Sequence, residues 1–184
     1  MNIHKPVNIL LIEDDPGHVR LVEKNLRRAN VGNSIVVCSD GKEAVDLLFD
    51  DRRRTNPGLQ EPLMVLLDLN MPVMDGYQVL SHLKADPRTV LIPVIVLTTT
   101  DDPEEIQRCY DLGCNAYVVK SADYEEFTEA MRRLGLFLTI TRMPREAAVS
   151  GTSPGAPFRV GLAVSKPSGW SAPVPEKDPH GTPG

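Results

Sequence analysis

The sequence predicts an α/β fold, a doubly wound five-stranded parallel sheet, and three observations carry that reading. Five short apolar runs alternate with five longer stretches of helical pattern. Several runs are apolar at successive positions without alternation, which marks strands covered on both faces. Aspartates that can cap a helix stand shortly after the runs. Repetition of strand then helix implies right-handed crossovers, with helices on both faces of the sheet.

The elements follow in order. The first run is Val7 to Ile12, after which Asp15-Pro16 reads as N-cap and first helical residue. Ser34 to Cys38 and Leu63 to Leu67 are the second and third runs. Asp75 with Gln78 opens the third helix after Met71-Pro72. Pro93 to Leu97 is the fourth run, and Asp102-Pro103 starts the helix behind it with Glu105 as capping-box partner. That helix stops at Leu112-Gly113, where glycine accepts the left-handed conformation. The fifth run is Ala116 to Val119. In the last helix Phe127, Met131, Leu134 and Leu138 share one face at spacings of four, three and four. Gly135 inside it costs about 1 kcal/mol relative to alanine, so the last turns are expected to be less secure.

From about Met143 the composition changes. Prolines recur from Pro144 to Pro183 with glycine and serine between them, and no apolar periodicity survives. We expect one folded domain over 1–143 and a flexible tail over 144–184, with no second folded output domain. The composition, 41% hydrophobic and 24% charged, is that of a soluble globular chain. The net charge is -5 and the densest basic run is Arg52 to Arg54, so no nucleic-acid partner is expected. Apolar runs of four or five residues fall far short of the roughly 20 needed to span a membrane. The start lacks a signal peptide's pattern, which predicts a cytoplasmic protein. Cys38, Cys109 and Cys114 have no zinc spacing and read as reduced, buried thiols.

Ligands of doubly wound sheets bind outside the carboxyl ends of the strands. There the first strand ends in Glu13-Asp14-Asp15, the third in Asp68, the fourth in Thr98 and the fifth in Lys120. Each alone is weak, since an acidic residue after a strand is commonly a helix cap. Together they are harder to explain, because carboxylates about 4 Å apart repel by roughly 1 kcal/mol per pair in water. A fold keeps such a cluster mainly for a divalent cation, and oxygen-only ligands point to Mg²⁺. No histidine or cysteine sits at these strand ends, which argues against zinc. An ionised aspartate can attack phosphorus without a general base near neutrality. A metal, an ammonium and a hydroxyl are suitable groups to offset charge on the phosphoryl oxygens.

These residues resemble the receiver domains of two-component signalling over roughly Val7 to Ile140. The separations of 54, 30 and 22 residues from Asp14 through Asp68 and Thr98 to Lys120 fit that family. Its most specific stretch here is Asp68-Leu69-Asn70-Met71-Pro72 with Met74-Asp75-Gly76. The resemblance implies a flavodoxin-like fold with strand order 2-1-3-4-5. It implies Asp68 as phospho-acceptor from a histidine kinase, with Thr98 and Lys120 contacting the phosphoryl oxygens. Asp14 and Asp68 would bind Mg²⁺ with their side chains, the Asn70 backbone carbonyl would complete the site, and Glu13 would hold a metal water. Tyr117 becomes the aromatic that swings inward when Thr98 moves. Asn70 and Thr100 would flank the path of the water that resets the switch. Such a protein is no turnover enzyme, although it assists its own Mg²⁺-dependent phosphorylation and dephosphorylation.

One departure is informative. Most receivers follow the lysine with proline, whereas Ser121 stands here. A cis bond before a non-proline residue costs about 2.5–4 kcal/mol, so a trans bond is expected. Lys120-Ser121-Ala122, Leu97-Thr98-Thr99, the loop Asp51 to Pro62 and the run Leu134 to Ile140 are similar to small receivers paired with phytochrome-type kinases. That similarity implies a red-light-sensing kinase as donor. It also implies a homodimer through the face of the fourth helix, fifth strand and fifth helix, to which Leu136, Phe137, Leu138 and Ile140 add apolar surface.

Rival classes fit less well. A phosphohydrolase of the haloacid-dehalogenase type needs a second aspartate two residues after the nucleophile, where this chain has Asn70. A phosphorylation-independent module on this fold typically loses the acceptor, the acidic pair or the lysine, and all are present. A GTPase would need a glycine-rich phosphate loop, which is absent. The output, the organism and the tail's role as tether, recognition segment or dispensable extension are not legible.

Overall fold

The computed structural model describes residues 7–50, 59, 63–120 and 123–140, without the side chains of Tyr124 and of residues 136–140. The Pro/Gly-rich tail, the Lys120–Ser121 bond, most of the loop 51–62 and the side chains of Leu136, Phe137, Leu138 and Ile140 lie outside the described set. Strands β1 (Asn8–Ile12), β2 (Ile35–Cys38), β3 (Leu63–Leu67), β4 (Val94–Thr98) and β5 (Ala116–Val119) alternate with five helices. These are α1 (Pro16–Arg28), α2 (Gly41–Phe49), α3 (Gly76–Ala85), α4 (Pro103–Asp111) and α5 (Tyr124–Ile140). The strands form one parallel sheet in the order β2-β1-β3-β4-β5, as expected.

The successive apolar positions are explained by two cores. Leu10, Ile12, Val65, Leu67, Val94 and Val96 face one layer with residues of α2, α3 and α4. Ile9, Leu11, Met64, Leu66, Ile95 and Leu97 face the other with α1 and α5. Every residue of β3 and β4 is buried, which an edge strand or a one-sided sheet would not allow.

The helix starts are capped by aspartates. Asp15 accepts from the Gly17 and His18 N–H groups, and Pro16 fills the first helical position. Asp40 accepts from Glu43 N–H and Asp75 forms a full capping box with Gln78. At α4 Asp102 accepts from Glu104 N–H at 2.9 Å, a cap to the second helical residue in place of the box expected with Glu105. The ends of α1 and α4 are equally well defined. Val31 N–H returns to Leu26 O with Asn30 at φ 61°, and Cys114 N–H returns to Cys109 O with Gly113 at φ 97°. Both close their helices with left-handed residues that satisfy the last carbonyls.

Helix α5 continues through Gly135 to Ile140. Its glycine lies against the residues that end α1, and a Cβ there would sit 2.4 Å from Ala29 Cβ and 3.2 Å from Val31 Cγ2. The propensity cost is thus offset by close helix packing. Gly135→Ala should gain about 1 kcal/mol of helix propensity yet lose more by overpacking, for a net destabilisation of roughly 1–2 kcal/mol in denaturant unfolding. A stabilised variant would overturn this account.

None of the three cysteines forms a disulfide, and all are buried. Burial, with lesser effects of Glu43 and Asp40, pushes the Cys38 thiol up to about 12. Burial likewise pushes Cys109 up to about 11. Both are packing groups in their neutral form.

Candidate functional site

The register of the sheet assembles the site. Ile12 of β1 pairs with Leu67 of β3, so the next residues, Glu13 and Asp68, leave the sheet side by side. Asp68 N–H donates to Ile12 O at 3.0 Å. On the other side Thr98 pairs with Val119, and Lys120 N–H donates to Thr98 O at 2.6 Å. Four strand ends thereby meet along one edge.

Glu13, Asp68, Thr98 and Lys120 are buried there, whereas Asp14 and Asn70 are exposed. One carboxylate oxygen from each of Glu13, Asp14 and Asp68 lies within 4.8 Å of the others. The Lys120 ammonium sits 2.5 Å from Glu13 Oε2 and 3.0 Å from Asp68 Oδ1. Two of the three carboxylates contact Lys120, and the cluster keeps a surplus of negative charge that a divalent cation would offset. The donor set is all oxygen, with one carboxylate open to solvent, and it fits Mg²⁺ with retained waters.

Thr98 Oγ1 accepts from Asn70 Nδ2 at 3.4 Å and from Thr100 N–H at 3.5 Å. The Thr100 carbonyl in turn accepts from the Tyr117 hydroxyl at 3.0 Å. Tyr117 is only 7% exposed and packs in the core beneath α2, α3 and α4. Burial, then nearby Cys109, pushes its phenol well above the usual range, so it is a neutral donor at working pH. A continuous chain of contacts thus runs from the threonine hydroxyl through the loop after β4 to this aromatic ring.

The loop between β3 and α3 is held by Gly76. Its N–H donates to Leu69 O at 3.0 Å, and a Cβ there would lie 2.2 Å from Asp68 O. Val73 in the same loop is 81% exposed at φ 69°, a strained backbone for a β-branched residue.

All seven residues predicted from sequence gather at or next to this edge. One neighbour was not foreseen. His18, from the first turn of α1, places Nδ1 3.2 Å from Glu13 Oε1 and 3.5 Å from Lys120 Nζ. No histidine stands at a strand end, but α1 turns back over β1 and brings one to the site. The only signal was its place one helical turn after Glu13 and Asp14.

Comparison with known proteins agrees with this architecture. The response regulator receiver domain family matches residues 9–132. The chain belongs to that family. A receiver domain from Rhodospirillum rubrum is 49% identical, with a TM-score of 0.69 over 75% of this chain and 97% of that one. Response regulator Rcp1 of Synechocystis is 32% identical over 132 residues, 72% of this chain and 88% of Rcp1. The crystal structure of Mn²⁺-bound Rcp1 has a TM-score of 0.68 over 76% of this chain and all of that one, at 30% identity. The phosphorylated cyanobacterial phytochrome response regulator RcpA is 31% identical, with a TM-score of 0.66 over 77% and 100% of the two chains. This receiver is therefore similar to phytochrome response regulators. No helix among its described residues is long and apolar enough to cross a membrane.

Proposed function

We propose that this receiver is a phosphorylation switch in which Asp68 accepts a phosphoryl group from the phosphohistidine of a phytochrome-type histidine kinase. The observation that supports it best is the environment of the Asp68 carboxylate. It lies 3.0 Å from the Lys120 ammonium, close to two further carboxylates, and at the strand edge that also holds the Thr98 hydroxyl. The likeness to RcpA and Rcp1 supports the choice of kinase.

Asp14 and Asp68 would hold Mg²⁺ by their side chains and Asn70 by its backbone carbonyl, with Glu13 on a metal-bound water. When bound, the ion offsets negative charge on the phosphoryl oxygens. An Asp68 oxygen forms the new bond to phosphorus as the bond to the histidine nitrogen breaks, and the electron pair stays on that nitrogen. Lys120 exchanges its Glu13 contact for a phosphoryl oxygen. Thr98 turns its hydroxyl toward another, taking Thr100 with it. Tyr117, bonded to the Thr100 carbonyl, follows that movement, and the face of α4, β5 and α5 changes shape. The switch is a population shift biased by contacts that only the phosphorylated state makes. Water, passing Asn70 and Thr100, resets it. The protein acts as an acceptor in the cytoplasm and not as a turnover enzyme.

On this reading the receiver spans 1–143, the segment 144–184 is a tail, and the α4-β5-α5 face pairs with a second copy. A cis bond at Ser121 would still be unfavourable on energetic grounds.

The test is the intact mass after incubation with acetyl phosphate. One phosphoryl group should be added with Mg²⁺ present and none after chelation with EDTA. If neither acetyl phosphate nor a phosphorylated bacteriophytochrome kinase labels the protein, a phosphorylation-independent interaction module replaces this reading.

A further inference from the structure

Glu13 is held from three directions. Its Oε2 contacts Lys120 at 2.5 Å, while Oε1 accepts from Asp15 N–H at 3.3 Å and faces His18 Nδ1 at 3.2 Å. The carboxylate is buried, yet the His18 side chain is 42% exposed. His18 Nδ1 is also 3.5 Å from Lys120 Nζ. A single ring nitrogen cannot both donate to Glu13 and accept from Lys120. The shorter distance and the opposite polarity assign it to the carboxylate, as a donor.

We propose that His18 is a positioning residue that, by holding Oε1 while Lys120 holds Oε2, keeps Glu13 aimed at the Mg²⁺ site. The inference rests on the reading of this edge as a Mg²⁺ site. Without His18, Oε1 would keep only the long contact from Asp15 N–H, and the carboxylate could turn about its Lys120 contact away from the metal-bound water. His18 does not itself complete the ligand set, because the oxygens of Glu13, Asp14 and Asp68 cluster without its ring. Its effect is on the orientation of a group that holds metal-bound water, which is how outer contacts tune metal sites. The first turn of α1 is itself held in place, since Asp15 caps it through the His18 N–H at 2.9 Å.

The experiment is calorimetric titration of the full chain with Mg²⁺ alone, comparing His18→Leu, His18→Asn and Asp14→Asn with the unsubstituted protein. Leucine keeps bulk without a donor, whereas the asparagine amide nitrogen can occupy the place of Nδ1. His18→Leu should bind Mg²⁺ about three- to tenfold more weakly, and His18→Asn should stay within about twofold of the unsubstituted chain. In acetyl phosphate labelling the effect should appear in the Mg²⁺ concentration for half-maximal rate, with little change at saturation. Unchanged affinity in His18→Leu overturns the proposal, and so does an equal loss in His18→Asn, which would show that ring shape and not the donor matters. If Asp14→Asn also leaves Mg²⁺ binding unchanged, the Mg²⁺ reading of the edge falls, and this inference with it.

Discussion

Asp68→Asn is expected to incorporate no phosphoryl group, from acetyl phosphate or from a kinase, at any Mg²⁺ concentration. The amide lacks the anionic oxygen that attacks phosphorus, and no other carboxylate occupies its place. Glu13 has both oxygens engaged by Lys120, Asp15 and His18. Asp14 leaves β1 and not the central strand β3. The fold should survive the change. Asp68 has one attraction, to Lys120 at 3.0 Å, and two repulsions within 4.8 Å. At equal screening these nearly cancel, so the variant should match the parent in denaturant unfolding to within about 1 kcal/mol. Intact mass and unfolding curves together check the prediction. A labelled variant would place the acceptor elsewhere, and an unfolded one would make the mass result uninformative about chemistry.

The second large effect is expected at Gly76. It lies against the backbone of Asp68, the proposed acceptor, and a Cβ would lie 2.2 Å from Asp68 O, 2.7 Å from Leu69 Cα and 3.0 Å from Asp68 C. All three are backbone atoms, so no side-chain rotation relieves the clash. Either the start of α3 or the end of β3 must move. The β3 end is fixed by Asp68 N–H on Ile12 O, and α3 is fixed by the Asp75 capping box. Gly76→Ala should therefore destabilise the protein by about 2–3 kcal/mol, the upper part of the overpacking range. Acetyl phosphate labelling should also slow in whatever fraction stays folded, because displacement of the Asp68 backbone misaligns the nucleophile. Denaturant midpoints and labelling rates measured well below the midpoint separate the two effects. A variant as stable as the parent would show that the loop yields more easily than this packing indicates.

Much of this was legible because the determinants are local. Five apolar runs placed the strands to within a residue, and Asp15, Asp75 and Asp102 placed the starts of α1, α3 and α4, since strand burial and helix capping each depend on a few neighbouring side chains. Glu13, Asp14, Asp68, Thr98 and Lys120 could be chosen in advance because a parallel sheet must bring its carboxyl ends to one edge. The capping box expected at Glu105 did not form, although the cap did. Asp102 instead binds the nearer Glu104 N–H, a choice among adjacent donors that spacing alone does not resolve.

The sequence by itself determined the doubly wound fold and the strand ends that form the candidate site, because periodicity, capping and chain order are properties of neighbours along the chain. The choice of Asp68 as acceptor candidate came from the resemblance to receiver domains. Only the tertiary structure decided which groups touch. It turned Gly135 from a weak point of α5 into the contact with Ala29. It brought His18 onto Glu13, and it joined Thr98 to Tyr117 through Thr100. Those contacts depend on how α1 and α5 pack together and on how the loop after β4 folds back over β5. Such distances of a few ångströms are set by the summed packing of both cores, and no short stretch of sequence encodes them.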